Sequence, residues 1–166
     1  MRLICAIVCL LVLSNTVLAK QETVRIEIRG STLSTPLDIT NMEIVRQFSV
    51  WNGPGTRSYD GEGNLNPPAH LDPTKAEGRF IDWPKGKVAE LPDNLRYFDV
   101  TFFLGRKPNQ RRYPFIYASD FHSNRGLVLL PPESTSVIVH GVEGNWFYAA
   151  QRWEEIVTPL IVSASN

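Results

Sequence analysis

Apolar and charged residues alternate over Val24-Arg25-Ile26-Glu27-Ile28-Arg29, up to Gly30. A period of two with β-branched positions predicts a half-buried strand. Pro36-Leu37-Asp38-Ile39 reads as a second, short strand. Thr40 and Glu43 fit a capping box, and Ile44, Val45 and Phe48 follow at helical spacing. These residues predict a two-turn helix from Asn41 to Phe48. Arg79 to Trp83 reads as a strand stopped by Pro84-Lys85-Gly86. Tyr97 to Leu104 is apolar on both faces, which predicts a central strand. Gln110 to Ala118 pairs with it across Lys107-Pro108-Asn109, and Pro114 marks an edge or a bulge. Gly126 to Leu130 and Ser136 to His140 are the last predicted strands. From Ala149 to about Val162, the residues Ala149, Trp153, Ile156, Val157 and Leu160 fall on one helical face, and Pro159 is expected to kink or end that helix early.

Short links between successive strands favour antiparallel pairing. The fold class that follows is α+β: an antiparallel β-meander sheet with a short N-terminal helix and a C-terminal helix. The alternative is an all-β sandwich or small barrel. Residues 52–78 stand apart. Glycine, proline, asparagine and aspartate supply 14 of these 27 residues, so the segment reads as one long loop.

The N-terminus sets the expected location. Arg2 precedes the apolar run Leu3 to Leu13, and Val17-Leu18-Ala19 supplies small residues for a cut before Lys20. That order is a secretory signal peptide over residues 1–19, with one globular domain over 20–166. Eleven apolar residues are too few to span a bilayer, which takes about 20, although an uncleaved anchor is the competing reading. The expected product is periplasmic or secreted, with no transmembrane segment after cleavage. Cys5 and Cys9 leave with the signal, so no disulfide staples the mature chain and its core must hold it. Loss of Arg2 leaves the mature chain 16 basic and 17 acidic residues, near neutrality, with no basic stripe for nucleic acid or an anionic membrane. Arg106, Lys107, Arg111 and Arg112 bracket a turn and read as a solvated hairpin tip.

Candidate chemistry is sparse. No Gly-x-Ser-x-Gly elbow is present, and the three histidines His70, His122 and His140 lack zinc-site spacing. Asp99, Asp120 and His122 form the alternative catalytic set, that of an exported hydrolase of envelope polymers. Asp60, Glu62, Asn64 and Asn66 place oxygens at every second position, as calcium loops do. Leu65 and Leu71 occupy positions where an EF-hand needs glycine and glutamate, so calcium is the lesser reading, and no cofactor is expected. Aromatics beside amides are the stronger signal: Trp51-Asn52-Gly53 and Gly144-Asn145-Trp146. An indole offers a flat apolar face and one donor, suited to a sugar ring or a peptide. Buried indoles sealing a sheet give the same pattern.

The motifs Ile26-Glu27-Ile28-Arg29-Gly30, Pro36-Leu37-Asp38-Ile39-Thr40, Phe48-Ser49-Val50-Trp51-Asn52-Gly53-Pro54-Gly55, Phe80-Ile81-Asp82-Trp83 and Glu143-Gly144-Asn145-Trp146, followed by Trp153, resemble a set of exported bacterial proteins of uncharacterised function. The resemblance implies a bacterial, secreted or envelope location; it supplies no activity and brings no functional residues. The expected function is a non-enzymatic binding or interaction module. It would meet a protein or glycan of the envelope or extracellular space through the 52–78 loop, with Trp51, Asn52, Arg57, Tyr59 and Trp146 as contact residues. The alternatives are the hydrolase and a structural envelope protein.

Overall fold

Alternation builds β1 (Thr23–Gly30), which turns back into β2 (Leu37–Ile39) with Ile26 facing Ile39. Both belong to a computed structural model that describes residues 21–58, 64, 80–120, 125–136 and 138–165. The proposed signal peptide therefore lies outside the described residues. The main sheet is completed by β4 (Arg96–Leu104), β5 (Arg111–Asp120), β6 (Arg125–Leu129) and β8 (Trp146–Tyr148). Its six strands run in the order β2-β1-β4-β5-β6-β8, every pair antiparallel. The linear order makes an open sheet, not a barrel. A separate two-stranded ribbon pairs β3 (Arg57–Ser58) with β7 (Ile138–Val139).

The two faces of the sheet differ because successive side chains point to opposite sides. One face carries Ile26, Ile28, Phe98, Val100, Phe102, Tyr113, Phe115, Tyr117 and Val128, all buried. Helix α2 (Gln151–Ala164) lies on it, with Trp153 making ring contacts to Phe48, Phe80, Phe102, Phe115 and Tyr117. On the opposite face Phe103 is nonetheless buried, because the Arg25 guanidinium sits 3.7 Å over its ring. Arg25 also pairs with Asp38, and Arg29 with Glu27.

Several expectations are corrected. The short helix α1 is Met42–Val45, and its cap is Asn41 rather than Thr40: the Asn41 side chain accepts from the Glu43 amide at 2.9 Å. Beyond Val45 the chain tightens into i→i+3 bonds, Gln47 to Ile44 and Phe48 to Val45, which swing Phe48 and Val50 into the core. Arg79 lies outside the described residues, and the rest of the expected strand to Trp83 reduces to one bridge, Ile81 with Ala149, before the 3-10 turn Trp83–Lys85. Pro84 is the second residue of that turn; it has no N–H to give a ladder. Arg57 and Ser58, expected in loop, form β3. Pro114 sits inside β5, but pairing with β6 begins only at Ile116, so its missing donor costs no ladder bond on that side. Helix α2 runs five residues past Pro159, because Trp153, Val157 and Ile161 anchor its buried face while Pro159 itself is exposed.

Candidate functional site

The segment Phe48-Ser49-Val50-Trp51-Asn52 leaves α1 with its apolar residues turned inward. Phe48 and Val50 are buried, and Trp51 is half-buried. The Trp51 indole N–H donates to the backbone oxygen of Gln21 at 2.9 Å, and its amide donates to Ser49 Oγ at 3.2 Å. Gln21 is held in turn by its own side-chain amide, which donates to the Asn109 carbonyl at 3.3 Å. The Gly105 amide donates to the Glu22 carbonyl at 2.9 Å. The start of β1 is thereby fixed against both the Trp51 segment and the β4–β5 hairpin.

Between β1 and that segment lies an open pocket of about 320 Å³, lined by Gln21, Glu22, Thr23, Val45, Arg46, Phe48, Ser49, Trp51 and Asn52. Its wall combines apolar side chains with a guanidinium, a carboxylate, two amides and two hydroxyls. Six of the nine lining residues are polar or charged, so the recess offers charged and hydrogen-bonding groups around a small apolar floor of Val45, Phe48 and Trp51. Arg152 Nε donates to Gln47 Oε1 at 2.6 Å and ties the turn beside the pocket to α2.

The pocket gathers two of the five expected contact residues, Trp51 and Asn52. Arg57 lies beyond it, paired with Val139 in the β3–β7 ribbon. Tyr59 lies outside the described residues. Trp146 is elsewhere, on β8 and on the sheet face away from α2, where its ring meets Tyr97 at 6.1 Å between centroids. Tyr97 is 51% exposed, and the buried Ala118 and Leu127 follow it in the same cross-strand row. Of the calcium set only Asn64 is described, and it is exposed; Asp60, Glu62 and Asn66 lie outside the described residues. Asp99 and Asp120 share that same sheet face. Asp99 pairs with Ile116, four positions before Asp120 on β5, a separation of about 13 Å along the strand. His122 lies outside the described residues.

Two buried polar clusters flank the core. In the first, the Tyr117 hydroxyl donates to Glu154 Oε1 at 2.9 Å, and Thr158 Oγ1 stands 2.9 Å from both Tyr117 Oη and Glu154 Oε2. Burial raises the Glu154 carboxyl above its ordinary value, while the bonds from Tyr117 and Thr158 pull the other way. Burial and the nearby Glu154 charge raise the Tyr117 phenol. In the second, His140 is 3% exposed and packs between Trp83 and Tyr113, at 5.3 Å and 6.5 Å between ring centroids. Among the described residues, neither of its ring nitrogens, nor the Tyr113 hydroxyl, has a hydrogen-bond partner. Its backbone N–H donates to the Glu143 carboxylate. Burial pushes the His140 imidazole down to about 4, against a smaller upward pull from Glu143.

No protein family, curated protein or solved structure gives a significant match to this chain. Sequence reasoning reached Trp51 and Asn52 through the aromatic–amide pairing. It missed Gln21, Glu22 and Arg46, which no local pattern joins; the Trp51–Gln21 bond and the fold bring them together.

Proposed function

We propose that this chain is an exported, non-enzymatic binding module whose contact site is the pocket beside Trp51 and Asn52. The observation that carries the reading is the pocket itself. It sits at the root of the 52–78 segment and presents Arg46, Glu22 and Asn52 around an apolar wall. A guanidinium and a carboxylate at one mouth suit a ligand carrying both polarities, such as a peptide segment or an amide-bearing glycan. The start of β1 forms a pre-organised wall, which lowers the ordering cost of binding.

The test is calorimetric titration of the mature chain, Lys20 to Asn166, with soluble peptidoglycan fragments, which carry both peptide and N-acetylated sugar. Binding that weakens tenfold or more in Arg46→Ala and Asn52→Ala, a loss of about 1.4 kcal/mol each, supports the pocket. Tyr97→Ala, on the far face, should bind as the parent does. Absence of binding to every fragment sinks this ligand class. Turnover of those fragments, abolished by Asp99→Asn or Asp120→Asn, would replace the binding module with the hydrolase.

A further inference from the structure

Gly53 lies directly on the His140 ring. A Cβ at position 53 would come within 2.9 Å of His140 Nδ1 and within 2.6 Å of the Trp83 ring, so only glycine allows this approach. Its φ of 141° is also outside the range that other residues favour. Gly55 follows with φ 61°, and a Cβ there would lie 2.9 Å from the His140 carbonyl oxygen. Thr56 closes the turn, its hydroxyl donating to the Gly53 carbonyl at 2.9 Å. The segment from Gly53 to Thr56 is thus a lid of backbone laid over His140, Gly53 against its ring and Gly55 against its carbonyl oxygen, and Asn52, a wall of the pocket, is its immediate neighbour.

We propose that His140 is an acid-responsive latch: proton uptake by its imidazole releases the Gly53–Thr56 segment and withdraws the Asn52 wall from the pocket. The chemistry is an imbalance of hydrogen-bonding groups. A neutral imidazole brings one donor and one acceptor into this site, and neither is satisfied among the described residues. An imidazolium would bring two donors and a charge, and a buried charge is held only with partners. Among the described residues, the titratable groups facing His140 are Glu143 in the turn after β7 and Tyr113 from β5. The Glu143 carboxylate already accepts from the His140 backbone N–H. Tyr113 supplies a neutral hydroxyl, its own ionisation pushed far up by burial. The lid itself, Gly-Pro-Gly-Thr, carries no charge. Relief therefore has to come from water, and the thinnest cover over the ring is the side-chain-free backbone at Gly53. Burial depresses the basicity of the imidazole against a smaller upward pull from Glu143, which agrees with that picture.

The latch can be tested without any ligand, so its failure and the failure of the pocket reading are distinguishable. Amide hydrogen exchange of the mature chain, corrected for the intrinsic pH dependence of exchange, is followed from pH 7 to pH 4. The expected result is at least a tenfold loss of protection at Gly53, Gly55 and Thr56 on acidification, with the β4 and β5 amides still protected. His140→Gln should remove that pH dependence. If the glutamine variant does not fold, histidine ring resonances of the parent report the same step: the His140 titration should coincide with the shift of the Gly55 and Thr56 amides. Unchanged protection, a parallel loss in parent and variant, a loss spread evenly over the sheet, or a His140 titration that leaves those amides unmoved would each overturn the latch.

Discussion

The Glu154 carboxylate fills the space above Gly126. A Cβ built at position 126 would lie 1.7 Å from Glu154 Oε1 and 2.6 Å from the Tyr117 ring. Strand β6 therefore meets helix α2 through bare backbone, and the carboxylate takes the volume that a side chain would have used.

Gly126→Ala should destabilise the fold by about 1–3 kcal/mol, the range of core overpacking. Glu154→Ala alone also destabilises, by removing the acceptor of the Tyr117 hydroxyl. The double variant should lose less than the sum of the two by about 1 kcal/mol or more, because one clash disappears with the carboxylate. Rescue is partial, since the Tyr117 contact remains. Urea denaturation of all four proteins measures the cycle, and simple additivity would refute the interlock.

Acidity offers a separate check on Glu154. Its folded carboxyl binds a proton more tightly than its ordinary value of 4.5 implies. The favourable contribution of this site is then complete below that value and is lost as pH rises through the folded pKa. Glu154→Gln keeps the shape and drops the ionisation. The variant should match or exceed the parent in melting temperature at pH 7, with the advantage fading toward pH 4. A variant clearly weaker than the parent at pH 7 would show that the charge itself is wanted.

His140 acts with the opposite sign. Its imidazole falls from 6.5 to about 4 on folding, so the unfolded chain takes up a proton first. Stability should therefore decline as pH drops from 6.5 to 4 and level off below, by at most about 3.4 kcal/mol at 1.36 kcal/mol per unit. Denaturant titrations at pH 7 and pH 4.5 should show the decline in the parent, with His140→Gln lacking this component.

Pro159 gives the simplest stability prediction. An interior proline costs a helix about 3 kcal/mol against alanine, and Pro159 is exposed, so its replacement disturbs no buried contact. Pro159→Ala should raise stability by about 1–2 kcal/mol, read as a higher melting temperature; part of the full cost is already relaxed in the folded helix. An unchanged melting temperature would mean that the proline N-side carbonyls are already satisfied some other way.

How much of this was legible in the sequence depends on where each signal lies. The β4–β5 hairpin was readable because its two long apolar runs flank a charged turn, so pattern and pairing are both local. Helix α2 was readable from Trp153, Val157 and their spacing. The cap slipped by one residue because Thr40 and Asn41 both carry capping oxygens, and only the extended backbone at Asn41, φ −64° and ψ 113°, decides between them. Strand β8 escaped because three aromatics in a row, Trp146-Phe147-Tyr148, show no alternation. Strand β3 escaped because Arg57 and Ser58 owe their shape to partners far along the chain, at Ile138 and Val139. The candidate pocket was half legible for the same reason. Trp51 and Asn52 advertise themselves, whereas Gln21, Glu22 and Arg46 matter only once distant segments meet.

The β8 border of the sheet has a consequence for the protein at high concentration. That outer strand is three residues long, and Ile81 and Lys87 bridge to Ala149 and Phe147 along its far side. A second molecule approaching there finds few free backbone groups and a lysine in the way. The border is a poor template for accretion, so crowding of many copies should leave them separate instead of seeding fibrils from that side.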